Sequence, residues 1–124
     1  MTMKPLKNKS LQLIMLVFLL IATAGCTKAQ DSKNIKKMIA DGAYLVDVRT
    51  PQEFAEGHVA GSYNIPVDDV AANLDKFKNK KNIIVFCRSG SRAARAKQIL
   101  EGNGIKNVTN GGSWMEINAV LDKK

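Results

Sequence analysis

Hydrophobic positions along the chain change rhythm after the first two dozen residues. An almost unbroken apolar run, "LQLIMLVFLLIATAG" from Leu11 to Gly25, gives way to short blocks of alternating character. In "NIKKMIADGA", Ile35, Met38 and Ile39 fall at i, i+3 and i+4, which predicts an amphipathic helix stopped by Gly42. "AYLVDV", Ala43 to Val48, is nearly continuous and β-rich, the pattern of a strand buried on both faces. Thr50 is an N-cap residue type followed by Pro51, so a short helix is expected from there to Gly57. "SYNIP" reads as a brief strand ended by Pro66, and Val67, Val70, Ala71, Leu74 and Phe77 recur at helical spacing. After the solvated turn "KNKKN" comes a second apolar strand, Ile83 to Phe86. Ala93, Ala96 and Leu100, with Ile99 beside them, then mark one face of a helix that ends in "EGNG". "IKNVTN" supplies another strand, and "GGSWMEINAVLDKK" a last helix behind a glycine pair. Strands alternating with helices predict an α/β fold, a central and mostly parallel sheet with helices on both faces.

The first segment is different in kind. Lys4, Lys7 and Lys9 precede an apolar run of 15 residues that closes in small ones, a secretory signal pattern. A membrane-spanning helix needs about 20 apolar residues, so a cleaved signal is favoured over a permanent span. "TAGC", Thr23 to Cys26, resembles a bacterial lipobox, in which the cysteine is acylated and becomes the mature N-terminus. Two chains, a diacylglycerol thioether and an N-acyl group, hold a protein at a membrane where one would be marginal. The expectation is a lipoprotein of the cell envelope, anchored on the extracytoplasmic or periplasmic side through Cys26. Residues 1–25 form its signal peptide, 26–32 a polar tether and 33–124 one domain. The chain carries 19 basic and 11 acidic residues, net +8. Loss of Lys4, Lys7 and Lys9 leaves 16 basic against 11 acidic, or +5. That balance suits anionic small molecules or an anionic membrane surface. No basic helix is interleaved with aromatics, so nucleic acid is not expected as a partner.

With Cys26 lipidated, Cys87 is the remaining thiol and has no intramolecular partner for a disulfide. It stands in "NIIVFCRSGSRAARAKQIL", just past a strand and just before a helix, where open α/β sheets bind ligands. Ser89, Gly90 and Ser91 are small enough for the loop to curl with its backbone N–H groups inward. The helix beginning near Arg92 adds the positive end of its dipole. Such a cradle stabilises a thiolate, and Arg88 and Arg92 add fixed charge suited to an oxyanion. Phosphatases and arsenate reductases of the Cys-X5-Arg type use a wider loop for tetrahedral oxyanions. Cys87 to Arg92 is Cys-X4-Arg, and a tighter ring of amides suits a sulfur atom carried on the cysteine.

These segments resemble the rhodanese family, the single-domain thiosulfate sulfurtransferases. "LVDVRTPQEFAEGHVAGSYNIP", Leu45 to Pro66, is similar to the family's first signature and "CRSGSR" to its active-site loop. "NGGSWMEI" resembles the second signature, with its aromatic displaced. The resemblance covers about Ile35 to Leu121 and implies a rhodanese fold and ping-pong sulfur transfer without a cofactor. Cys87 would take a sulfane sulfur from a donor such as thiosulfate and pass it to cyanide or a thiol. Backbone amides of Arg88, Ser89, Gly90, Ser91 and Arg92 would hold the persulfide. The side chains of Arg88 and Arg92 would draw in the donor's oxyanion.

Other residues are expected to be structural. His58, the only histidine, is not needed by an amide-stabilised thiolate. Arg49 and Glu53, four apart, suggest an ion pair, and Asp47, Trp114, Tyr44 and Tyr63 suggest core or cleft wall. No Cys/His cluster has metal-ligand spacing, so no metal is expected. Two other classes remain open: a persulfide carrier serving a protein partner, and a Cys-loop phosphatase or arsenate reductase.

Overall fold

The computed structural model describes residues 27–123. The expected signal peptide and the lipidation site Cys26 lie outside the described residues. Residues Lys33–Lys124 form one compact unit. The first helix among the described residues, α1, spans Thr27–Ala40 and so begins within the segment expected to be a tether. The sequence cue used for its start was the first apolar-periodic residue, which marks packing rather than the first helical turn.

Four strands follow: β1 (Tyr44–Asp47), β2 (Tyr63–Asn64), β3 (Ile83–Cys87) and β4 (Val108–Ser113). They pair in the order β2-β1-β3-β4, and all three pairings are parallel. Helix α2 (Pro51–Glu56) runs between β1 and β2, α3 (Ser91–Gly102) between β3 and β4, and α4 (Trp114–Asp122) follows β4. Side chains alternate across a strand, so the sheet feeds two cores. Ile83, Val85 and Cys87 join Val46 and Val48 against Ala93, Ala96 and Leu100 of α3 and against Val67, Val70 and Phe77. Ile84 and Phe86 face the other way with Leu45, Val59 and Ile117, covered by Ile35, Met38 and Ile39 of α1 and by Trp114. All five residues of β3 are buried, as expected of a central parallel strand. Each large apolar side chain so buried contributes about 1.5–3 kcal/mol.

Two stretches depart from the expected elements. Val67 to Phe77 is not one helix but two 3-10 turns, Val67–Asp69 and Ala71–Phe77, with Asn73 at non-helical φ/ψ inside the second. Val67, Val70 and Phe77 are still buried, so the apolar spacing found the buried face but not the backbone that carries it. The glycine pair before the last helix belongs to β4, whose strand runs to Ser113. Gly111 is needed there because a Cβ would come within 2.8 Å of Ile84 Cγ2 and 2.9 Å of Ile117 Cδ1.

The chain leaves β1 outward to β2 and then crosses back to β3 on β1's other side. The carboxyl ends of β1 and β3 therefore flank a topological switch point, where α/β sheets open a crevice for ligands. Cys87 is the last residue of β3.

Candidate active site

Cys87 is fully buried in the core that packs against α3, and it is the free thiol among the described residues. The loop after it turns because Gly90 adopts a left-handed conformation, φ +96° and ψ −12°. That conformation disfavours any side chain. It aims the Gly90 amide back at the cysteine, and N–H donates to Sγ at 3.0 Å. Gly90 is also the N-cap of α3, and its carbonyl accepts the first helical bond from Ala94 at 2.9 Å. Cys87 thus lies beside the amino end of a twelve-residue helix, whose unpaired amides and dipole favour negative charge.

A second strand holds the loop in place. Asn110 Nδ2 donates to the Gly90 carbonyl at 3.1 Å, while Asn110 Oδ1 accepts from the Gly112 amide at 2.9 Å. One side chain therefore ties the cysteine loop to the glycine turn of β4. Sequence reasoning noted the "NGG" signature but gave Asn110 no role. An amide next to two glycines at a strand's end was the available signal, since short amide side chains bond local backbone in such turns.

The two loop arginines are placed differently. Arg88 is exposed and has no carboxylate partner among the described residues. Arg92 is half-buried and forked onto Glu53 of α2, Nη1 to Oε1 at 2.7 Å and Nη2 to Oε2 at 3.0 Å. Those charged hydrogen bonds hold the Glu53 carboxyl down at about 2, well below its ordinary 4.5, and push the Arg92 guanidinium up. Glu53 also closes the capping box of α2, accepting from the Thr50 amide at 3.3 Å. Ser89 and Ser91 are exposed at the loop's rim.

The expected Arg49–Glu53 pair does not form. Arg49 lies before the N-cap of α2, so spacing of four does not bring the two side chains onto one helical face. Arg49 instead meets buried Asp47, Nε to both carboxylate oxygens at 2.9 and 3.0 Å and Nη2 to Oδ2 at 2.7 Å. Nη2 donates as well to the Gly57 carbonyl at 2.7 Å, and the Trp114 ring lies 4.4 Å from Arg49 Cζ. Asp47 is fully buried in this pair, and Trp114 packs against its guanidinium. His58 is occupied locally, its Nδ1 donating to the Phe54 carbonyl at 2.9 Å and its ring stacked on Phe54. Among the described residues no group of three or more His, Cys, Asp or Glu could hold a metal.

The profile of the rhodanese-like domain matches residues 31–119. The chain belongs to the rhodanese-like domain family. Sulfurtransferases are among its relatives. A putative mitochondrial thiosulfate sulfurtransferase of Schizosaccharomyces pombe is 37% identical over 86 residues, covering 58% of this chain and 61% of that protein. The thiosulfate sulfurtransferase PspE of Escherichia coli is 34% identical over 76 residues, 60% of this chain and 73% of PspE. The crystal structure of SSP1007 from Staphylococcus saprophyticus superposes with a TM-score of 0.60 at 35% identity, covering 69% of this chain and 88% of that one. In this rhodanese-like domain the Cys-X4-Arg loop, the glycine turn of β4 and α2 converge beside the carboxyl end of β3.

Proposed function

We propose that the protein is a thiosulfate sulfurtransferase working through a Cys87 persulfide. The observation that carries this reading is the Gly90 amide, 3.0 Å from Cys87 Sγ at the head of α3. A sulfur so placed is a nucleophile with a backbone donor already directed at it, where negative charge is carried through the reaction. In the first half-reaction Cys87 S⁻ attacks the outer sulfur of thiosulfate. The S–S bond of the donor breaks, sulfite leaves with the bonding pair, and Cys87–S–S⁻ remains. In the second, the acceptor's electron pair attacks the terminal sulfur. With cyanide, thiocyanate leaves and the Cys87 thiolate is regenerated. The Gly90 amide and the α3 dipole stabilise negative charge on either sulfur, and exposed Arg88 attracts the donor's oxyanion. Export and lipidation at Cys26 belong to the same proposal.

Intact-mass spectrometry after incubation with thiosulfate tests the chemistry. Wild-type protein gains about 32 Da, one sulfur on the nucleophile, and cyanide removes it. Cys87→Ser stays folded but gains nothing and forms no thiocyanate. Thiocyanate production by that variant would overturn the proposal. For the anchor, radiolabelled fatty acid should enter the wild-type protein in a bacterial host and not Cys26→Ala. Equal labelling of the two sinks lipidation at that site.

A further inference from the structure

The Glu53–Arg92 fork has a consequence for the donor. Arg92 sits in the cysteine loop, yet both of its outer nitrogens are used on both oxygens of one carboxylate. Glu53 comes from a different element, α2, and its own position is fixed by the Thr50 capping box. The pair is about one-third exposed, with side chains at 32% and 28%, and Arg92 stands in the first turn of α3, just past the carboxyl end of β3 where the crevice opens. Arg92 is the second residue of α3, whose N-cap Gly90 donates its amide to Cys87 Sγ at 3.0 Å, so the pair lies close to the reacting sulfur. Asp47, the other carboxylate that acts on Arg92, is itself occupied by Arg49.

We infer that Glu53 masks the charge of Arg92 and thereby sets donor selectivity at Cys87, holding down the preference for doubly charged thiosulfate over singly charged sulfane donors. Glu53 is a specificity-determining residue that acts through Arg92. This inference rests on the sulfur-transfer reading, but its electrostatic core is separable from it. A guanidinium with a carboxylate across it is nearly a neutral pair seen from the crevice. That leaves exposed Arg88 as the open cation of the loop. Removal of the negative partner exposes one full positive charge. Its pull on a dianion is twice its pull on a monoanion at the same place.

Thiosulfate and methanethiosulfonate form a matched pair of probes. Both present a sulfane sulfur bonded to an oxidised sulfur, and they differ by one charge. Methanethiosulfonate leaves methanesulfinate where thiosulfate leaves sulfite, and both yield Cys87–S–S⁻. In full-length Glu53→Gln, the amide keeps one acceptor for Arg92 while the charge is lost. The KM for thiosulfate should fall about threefold to tenfold, what one charge gives at about 6 Å in a water-rich cleft. The KM for methanethiosulfonate should fall by about the square root of that factor, and kcat should stay within about twofold for both. Arg92→Gln leaves Glu53 uncovered and should move both KM values upward, the dianion's again more. Glu53→Asp restores the charge and should keep the wild-type donor ratio. Equal shifts for the two donors, or a loss of kcat without a KM change, would overturn charge masking and leave Glu53 a mere support of the loop.

Alkylation of Cys87 separates this outcome from a failure of the sulfurtransferase reading. The ratio of iodoacetate to iodoacetamide rates, read on the Cys87 peptide, should rise in Glu53→Gln and fall in Arg92→Gln. A ratio that moves as stated in a protein forming no persulfide would refute the proposed reaction and uphold the masking. An unmoved ratio refutes the masking whatever the turnover.

Discussion

Asp47–Arg49 and Glu53–Arg92 are both forked pairs of a carboxylate and a guanidinium with a closest contact of 2.7 Å. Burial separates them. Asp47 and Arg49 are 0% and 4% exposed, and the pair is shut between β1, the Gly57 carbonyl and the Trp114 ring. Glu53 and Arg92 meet at the edge of the crevice, with water on one side. The same contact has different uses in the two settings. Inside, two ions have been removed from water, so each depends on the other to offset its desolvation, and losing one leaves a charge with nowhere to go. At the edge, water can replace either partner, so the pair adds little to stability but controls what charge the crevice presents.

The contrast breaks most visibly at the buried pair. Asp47→Ala should destabilise the domain by about 3–5 kcal/mol, read by urea unfolding at pH 7, because Arg49 is left buried and unpaired. Replacing both residues, Asp47→Val with Arg49→Met, should recover most of that loss, since no ion then remains to be desolvated. A double variant as unstable as Asp47→Ala would show that the pair's shape, not its charge, holds β1 to Gly57. At the edge the effect shrinks. Glu53→Ala should cost about 1 kcal/mol or slightly more at pH 7, part of it from the lost capping box and part from the fork. The fork's share depends on acid in a defined direction. Glu53 titrates at about 2 folded and near 4.5 otherwise. A lowered folded value means that stability is fully present above pH 4.5 and is lost as pH falls toward 2. The gap between wild type and Glu53→Gln should therefore be flat from pH 7 to 5 and close between about 4.5 and 2. A gap unchanged at pH 2.5 would mean the carboxylate is not the group stabilising the edge.

The two pairs also show where the sequence was readable. Backbone rhythm was plain: β1 and β3 are dense apolar runs, and Cys87 fell at a strand-to-helix junction because the run ends there in small and charged residues. Partner choice was not plain. Arg49 and Glu53 stand at a spacing that pairs side chains only within one helix, and Thr50 begins that helix between them. Glu53 and Arg92 are 39 positions apart, with β2 and β3 between them in the chain. Asn110 was hidden for a similar reason, since its two bonds reach Gly90 and Gly112, one near in sequence and one far. The 3-10 stretch from Val67 to Phe77 escaped because burial at every third or fourth position is common to both helix types over so few turns.

One irregularity of the sheet bears on how such a chain can change over generations. Between Val85 and Cys87 the register with β4 slips: Val85 pairs with Asn110 and Cys87 with Ser113, so Gly111 and Gly112 stand opposite Phe86 alone. The extra residue brings Gly112 so near the cysteine loop that a Cβ on Gly90 would meet Gly112 Cα at 3.4 Å. Gly112 has its own barrier, a left-handed backbone at φ +77° that strains any side chain. Both glycines hold left-handed backbone, so a side chain at either place is strained whatever space surrounds it. The turn of the cysteine loop and the bulge of β4 are thus tied to glycine where they meet, while exposed Arg88, Ser89 and Ser91 beside them carry no such restriction.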